Sequence, residues 1–205
     1  MSERQNLIFI IDNSLSTSYY SEQYTSAING IINFQKNINP NSSLSLITFN
    51  ETINYIYVNT NINSVEPIDV KKLNPSGCTA FYDNFIAIIN TLKKNYDKNS
   101  SNPPIVIILT DGEDNCSKKT EQGHVWLQIN IVKAYGWKFV YLGTTEISVK
   151  IGRNIGCNAC VLYETSEKSF AEISKVVGGL LNVKVKDDID IDIRDLTNSM
   201  DNIKI

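Results

Sequence analysis

The sequence predicts an α/β domain: a doubly wound, Rossmann-like sheet with helices on both faces. Three observations predict it. Short apolar runs alternate with segments of helical period almost to the end of the chain. The first run, Leu7-Ile8-Phe9-Ile10-Ile11, is apolar at every position, as in a strand covered on both faces. Oxygen-bearing side chains then follow the ends of such runs: Asp12-x-Ser14-x-Ser16 after the first, and Asp111 after Ile105-Val106-Ile107-Ile108-Leu109. In open α/β sheets, ligands bind beyond the carboxyl ends of the strands.

The elements follow in order. After the strand over Leu7–Ile11, apolar residues recur at helical spacing between Tyr20 and Ile38 (Tyr24, Ala27, Ile28, Ile31, Ile32, Phe34), and Asn39-Pro40-Asn41 stops the helix. Leu44–Phe49 reads as the second strand. Asn50-Glu51 forms a tight turn, and Ile53–Val58 returns antiparallel to the second strand. The stretch from Asn59 to Gly77, with Pro67 and Pro75, is irregular and delivers Thr79; long loops in compact domains are commonly functional. A helix over Thr79–Tyr96 carries Phe81, Phe85, Ile88, Ile89 and Leu92 on one face. The fourth strand, Ile105–Leu109, leads to a helix over Thr120–Tyr135 ended by Gly136. A fifth strand over Phe139–Leu142, a short helix over Ile147–Ile155, a sixth strand over Cys160–Tyr163 and a last helix from Ser166 to about Leu181 complete the pattern. After Lys184 the run Asp187-Asp188-Ile189-Asp190-Ile191-Asp192-Ile193 has the period of an exposed strand and equally the composition of a disordered acidic tail. The expected division is a domain over residues 1–184 and a tail or added edge strand over 185–205.

Composition limits the function. A chain of 205 residues with 42% hydrophobic residues can bury a full core as one domain. A net charge of -3 gives no general attraction to nucleic acid or to anionic membranes, so neither is expected as a partner. No secretory signal precedes the first strand, and no apolar stretch approaches the roughly 20 residues needed to cross a bilayer. A soluble cytoplasmic protein is the expectation, with association with a virion as the variant.

Of the four cysteines, Cys78 and Cys116 fall in loops at the carboxyl ends of the strands, while Cys157-x-x-Cys160 precedes a strand and lies at the other end. A zinc site built from all four is therefore disfavoured by topology. Reduced, partly buried thiols are the expectation, with a Cys78–Cys116 pair as the alternative under oxidising conditions. His124, the single histidine, has no nucleophile partner and suits a surface or helix-start role; Trp126 and Trp137 suit packing. Lys93-Lys94 and Lys118-Lys119 read as solvated faces. Glu113 and Asp114, beside Asp111, either shape the charge preference for a partner or are simply exposed.

The chemistry lies in Asp12, Ser14, Ser16, Thr79 and Asp111. Two carboxylates and three hydroxyls from three loops make a donor set for a hard divalent cation such as Mg2+, with Mn2+ accepting the same oxygens. Two negative charges leave the cation electrophilic and able to take an outside ligand, ideally a carboxylate of a protein partner. A bare Asp-x-Ser-x-Ser can also be a helix cap without metal, and it is the five residues together that favour ligation.

These strings, with Thr79-Ala80-Phe81-Tyr82-Asp83 and Leu109-Thr110-Asp111-Gly112-Glu113-Asp114, resemble a von Willebrand factor type A (integrin I-like) domain over about residues 5 to 182. The resemblance implies a six-stranded, mostly parallel sheet with one antiparallel edge strand. It also implies a complete metal-ion-dependent adhesion site: Asp12, Ser14 and Ser16 in the first loop, Thr79 in the second, Asp111 in the third. By that likeness Ser14 and Ser16 bind the metal directly, and Thr79 and Asp111 exchange between direct and water-mediated contact. Asp83 matches a position that supports the site or starts a helix rather than binding metal. The function implied is that of an intracellular adaptor or scaffold.

Two other readings compete. An assembly protein, structural or virion-associated, would use the fold as a surface and leave the metal dispensable. A Mg2+-dependent phosphatase of the haloacid-dehalogenase type needs a second Asp two positions after the first, where this chain has Ser14, and no general base is evident. Dinucleotide binding lacks its glycine-rich turn after the first strand. The chain is accordingly read as a binding protein without catalysis.

Overall fold

The structure is a computed structural model and describes residues 5–69, 73–94, 96 and 102–162. One six-stranded sheet organises them, in the order β3-β2-β1-β4-β5-β6. The strands are β1 (Asn6–Asp12), β2 (Ser43–Phe49), β3 (Ile53–Asn61), β4 (Ile105–Thr110), β5 (Lys138–Gly143) and β6 (Ala159–Leu162). All neighbours pair in parallel except β2 with β3, which are antiparallel. The helices are α1 (Ser21–Ile38), α2 (Phe81–Lys94), α3 (Gln122–Lys133) and α4 (Glu146–Asn154).

Strand alternation divides the core in two. Leu7, Phe9 and Ile11 of β1 pack with Tyr24, Ala27, Ile28, Ile31 and Ile32 of α1. Ile8 and Ile10 face the other way, onto Phe81, Phe85, Ile88 and Ile89 of α2 and Val125, Ile129 and Val132 of α3. Successive side chains of a strand point to opposite faces, so a strand covered twice must be apolar throughout. The helices thus cover both faces. β3 is an edge strand and looks the part: most of its residues are exposed or half-exposed, and its register against β2 slips twice near Leu46.

Several expectations shift in detail. The first helix does not follow β1 directly, because a 3-10 turn over Leu15–Tyr20 comes between and α1 starts at Ser21. Phe34, expected on its apolar face, is half-buried; Gln35 occupies the inward position one step on, its amide atoms without hydrogen-bond partners among the described residues. Trp137 is buried as expected, but Trp126 is 49% exposed, because Val125, Ile129 and Val132 already fill the inward stripe of α3. β3 runs three residues further than the sequence suggests, to Asn61. The last helix and the acidic segment, with the boundary expected at residue 184, lie outside the described residues. No helix among the described residues is long and apolar enough to cross a membrane.

Candidate metal centre

β1 and β4 are neighbours at the middle of the sheet, and the chain leaves them in opposite directions: β1 leads through α1 to β2, β4 through α3 to β5. Such a switch point opens a crevice at the carboxyl ends of the two strands. Asp12 is the last residue of β1, and Asp111 follows the last residue of β4.

The first loop is built around Asp12. Its carboxylate is buried, 1% exposed. Oδ1 accepts from the Ser14 N–H at 2.9 Å, and Oδ2 accepts from the Thr110 hydroxyl at 2.7 Å. Thr110 Oγ1 in turn accepts from the Gly112 N–H at 3.0 Å, which ties the first loop to the third. Ser14 is buried, Ser16 exposed, and their hydroxyl oxygens stand 3.1 Å apart. Adjacent ligands of an octahedral Mg2+ at about 2.1 Å lie roughly 3 Å from each other. The serine pair therefore has the edge length of such a shell.

The second loop is stitched to the first by backbone. Leu15 N–H donates to Gly77 O at 3.1 Å and Ser76 N–H to Asn13 O at 3.0 Å, while the Asn13 amide donates to Leu73 O. The second and third loops meet around Thr79. Its N–H donates to Asn115 Oδ1 at 2.9 Å, and its carbonyl accepts from the N–H groups of Asn115 and Cys116, both at 3.0 Å. Thr79 is buried, and Asp111 is half-buried. Its carboxylate lies near enough to Asp12 to act on its charge.

The electrostatics favour a cation. Burial pushes the Asp12 carboxyl up to about 6 from an ordinary 3.8. Hydrogen bonds from Thr110 and Ser14 work against that rise, and the charge of Asp111 adds to it. Burial also raises the phenol of Tyr24, with Asp12 and Asp111 contributing. A buried carboxylate beside a second carboxylate is costly unless a positive charge joins it.

Residues that the sequence singles out for other roles also serve the loops. Asp83 accepts from the N–H groups of Lys118 (2.8 Å) and Lys119 (3.2 Å), so it anchors the third loop to the first turn of α2. Slight burial opposes its charge, but these N–H groups and Thr120 outweigh that and hold its carboxyl below the ordinary value. Asp114 accepts from the Tyr82 N–H at 2.8 Å and from the Ser117 hydroxyl at 2.7 Å, while Glu113 is exposed. His124 caps α3 through Nδ1, which accepts from the Glu121 N–H at 3.0 Å. The sequence assigns no role to Thr110, Asn13 or Asn115, although the first two lie within quoted strings, the third follows one, and each has a side chain able to bond backbone.

Two of the four cysteines depart from the expectation of reduced thiols and take the alternative pairing. Cys78 and Cys116 form a disulfide, with Cα atoms 5.9 Å apart. The bonds around Thr79 already bring the two loops to that separation, which is the usual one for a bridge. Cys157 and Cys160 are not disulfide-bonded and pack against the α2–α3 side of the core, away from the other pair.

No protein-family model and no curated protein matches the sequence. Solved structures do match in shape. BatB from Bacteroides thetaiotaomicron is 14% identical with a TM-score of 0.62, over 87% of this chain and 100% of that one. The SpRpn10 VWA domain is 14% identical with a TM-score of 0.57, over 86% and 95%. The manganese-loaded TRAP protein of Plasmodium vivax is 16% identical with a TM-score of 0.61, over 87% and 74%. At these identities the likeness is one of fold, and the fold is that of the von Willebrand A-type domains.

Proposed function

We propose that the chain is a metal-dependent protein-binding module. Asp12, Ser14, Ser16, Thr79 and Asp111 hold a divalent cation, Mg2+ or Mn2+, and the cation captures an Asp or Glu carboxylate of a partner. One observation carries this reading. A buried carboxylate, raised to about 6, stands at the switch point beside two hydroxyls at the edge length of an octahedral shell. The donor set fits the ion: every candidate ligand is a hard oxygen. Supplied there, the cation would act as a Lewis acid, neutralising Asp12 and Asp111 and polarising an incoming carboxylate. The protein's own part is to hold its oxygens in place through Thr110 and the stitches at Asn13, Gly77 and Asn115.

That a neighbour of the same fold is manganese-loaded supports a divalent ion as the ligand. Nothing in the cluster serves as a nucleophile with a base: Ser14 and Ser16 face each other, and His124 is engaged at the start of α3. Binding without catalysis is the reading this supports, with a cytoplasmic adaptor as the setting.

The test is thermal unfolding with EDTA, Mg2+ or Mn2+. Wild type is expected to gain about 2.7 kcal/mol at 100 times Kd, or roughly 5–10 °C for a domain of this size. Asp12→Ala is expected to gain nothing. The same shift in both proteins would move metal binding elsewhere, and self-association that is indifferent to EDTA would favour the assembly reading.

A further inference from the structure

A second donor cluster lies beside the five-oxygen site and is chemically unlike it. Glu51, at the tip of the β2–β3 hairpin, points to the disulfide: its carboxylate oxygen and the sulfurs of Cys78 and Cys116 all lie within 4.8 Å of one another. Glu51 Oε1 accepts from the Cys78 N–H at 3.1 Å. The room for it comes from Gly77, which has φ +71° and where a Cβ would stand 3.0 Å from that oxygen.

The hairpin tip is not free to drift. Asn50 Nδ2 donates to Ser76 O at 2.9 Å, and Asn50 O accepts from Ala80 N–H at 3.0 Å and from Asn84 Nδ2 at 2.8 Å. Three segments distant in sequence thus place one carboxylate and two sulfurs at a half-exposed point. Two thiolates and a carboxylate form a borderline-soft set that suits Zn2+ and is poorly matched to Mg2+.

We propose that reduction of the Cys78–Cys116 disulfide creates a zinc site formed by Cys78, Cys116 and Glu51, with a fourth position open to water or an outside ligand. A dithiol or phosphine reductant supplies two electrons to break the Sγ–Sγ bond, and the sulfurs take up two protons. Binding of Zn2+ then releases those two protons to water as both sulfurs become thiolates. At Zn–S distances of about 2.3 Å the sulfurs stand roughly 3.8 Å apart, a separation that side-chain rotation provides between Cα atoms held at 5.9 Å. The second and third loops stay clasped in both states, by a covalent bond in one and by a metal in the other.

The probe is Co2+ added to phosphine-reduced, desalted protein without oxygen, followed by displacement with Zn2+. A thiolate-to-cobalt charge-transfer band at one equivalent is expected in reduced wild type, bleached by Zn2+. Oxidised wild type, which keeps Cys157 and Cys160 as thiols, is expected to show no band. Cys116→Ser should abolish the band, and Glu51→Gln should weaken Zn2+ on the order of tenfold. Asp12→Ala should keep the band, so failure here and failure of the five-oxygen site are distinguishable. Absence of the band in reduced wild type, or an equal band in oxidised wild type or Cys116→Ser, overturns the proposal.

Discussion

Gly112→Ala is expected to destabilise the domain by about 3 kcal/mol or more, a fall in Tm of roughly 10 °C. Gly112 has φ +93°, a conformation that suits glycine. A Cβ there would run into Ser148, meeting its Cβ and standing 2.7 Å from its Cα, with Ile151 Cδ1 at 3.2 Å. Backbone cannot step aside as a side chain can. The first turn of α4 is also locked: Thr145 Oγ1 accepts from the Ser148 N–H at 3.1 Å, and the Ser148 hydroxyl donates to Thr145 O at 2.8 Å. The third loop would have to move, taking Asp111 and the Gly112–Thr110 bond with it. Loss of stability and loss of metal response are therefore expected together. Gly30→Ala is the control. It sits inside α1 with nothing within 4 Å of the new Cβ, and a gain of about 1 kcal/mol is expected from helix propensity. Denaturant unfolding of the two variants checks both signs.

Asp12→Asn is expected to have opposite effects with and without metal. In EDTA at pH 7.5 the variant should be more stable than wild type by about 3 kcal/mol, from a shift of roughly two units at 1.36 kcal/mol each. The sign follows from linkage. The folded carboxyl titrates at about 6 against 3.8 for the free group. Between those values the folded protein binds the extra proton, so wild-type stability falls as pH rises from about 4 to 6 and stays lowered above. An amide has no such penalty: its oxygen can accept from the Ser14 N–H, and its NH2 can donate to Thr110 Oγ1 with the direction of that bond reversed. The two proteins should converge near pH 4. With millimolar Mg2+ or Mn2+ at pH 7.5, wild type recovers the difference and the variant does not. Unfolding curves at pH 4 and 7.5, with and without metal, give all four corners. A variant less stable than wild type in EDTA at pH 7.5 would mean that Asp12 serves the fold rather than a cation.

The fold was legible because its strands are extreme. Leu7–Ile11 of β1 and Ile105–Leu109 of β4 are apolar at every position and buried throughout, which leaves little choice but the centre of a parallel sheet. The hairpin turn at Asn50-Glu51 likewise announces the antiparallel edge strand. The loops that carry Asp12 and Asp111 were legible because β1 and β4 end side by side in the sheet. Their support was not. Thr110, Asn13 and Asn115 act through hydrogen bonds to groups far away in sequence, as from Thr110 to Asp12 across 98 positions, and spacing holds no trace of such pairs. Trp126 misleads for a related reason: a large apolar residue on a helix suggests burial, but three aliphatic residues had already filled the inward stripe. The bridge between Cys78 and Cys116 depends on the Thr79–Asn115 stitches, again a matter of three dimensions.

The most direct test of the central claim is calorimetric titration of Mn2+ into the metal-free protein at pH 7.5 and again at pH 5. One site is expected at pH 7.5, weakened at pH 5 where the Asp12 proton competes, and absent in Asp12→Ala. No heat at millimolar Mn2+ in wild type, or identical binding in Asp12→Ala, would contradict the account and leave the five residues as a hydrogen-bonded cap on the sheet.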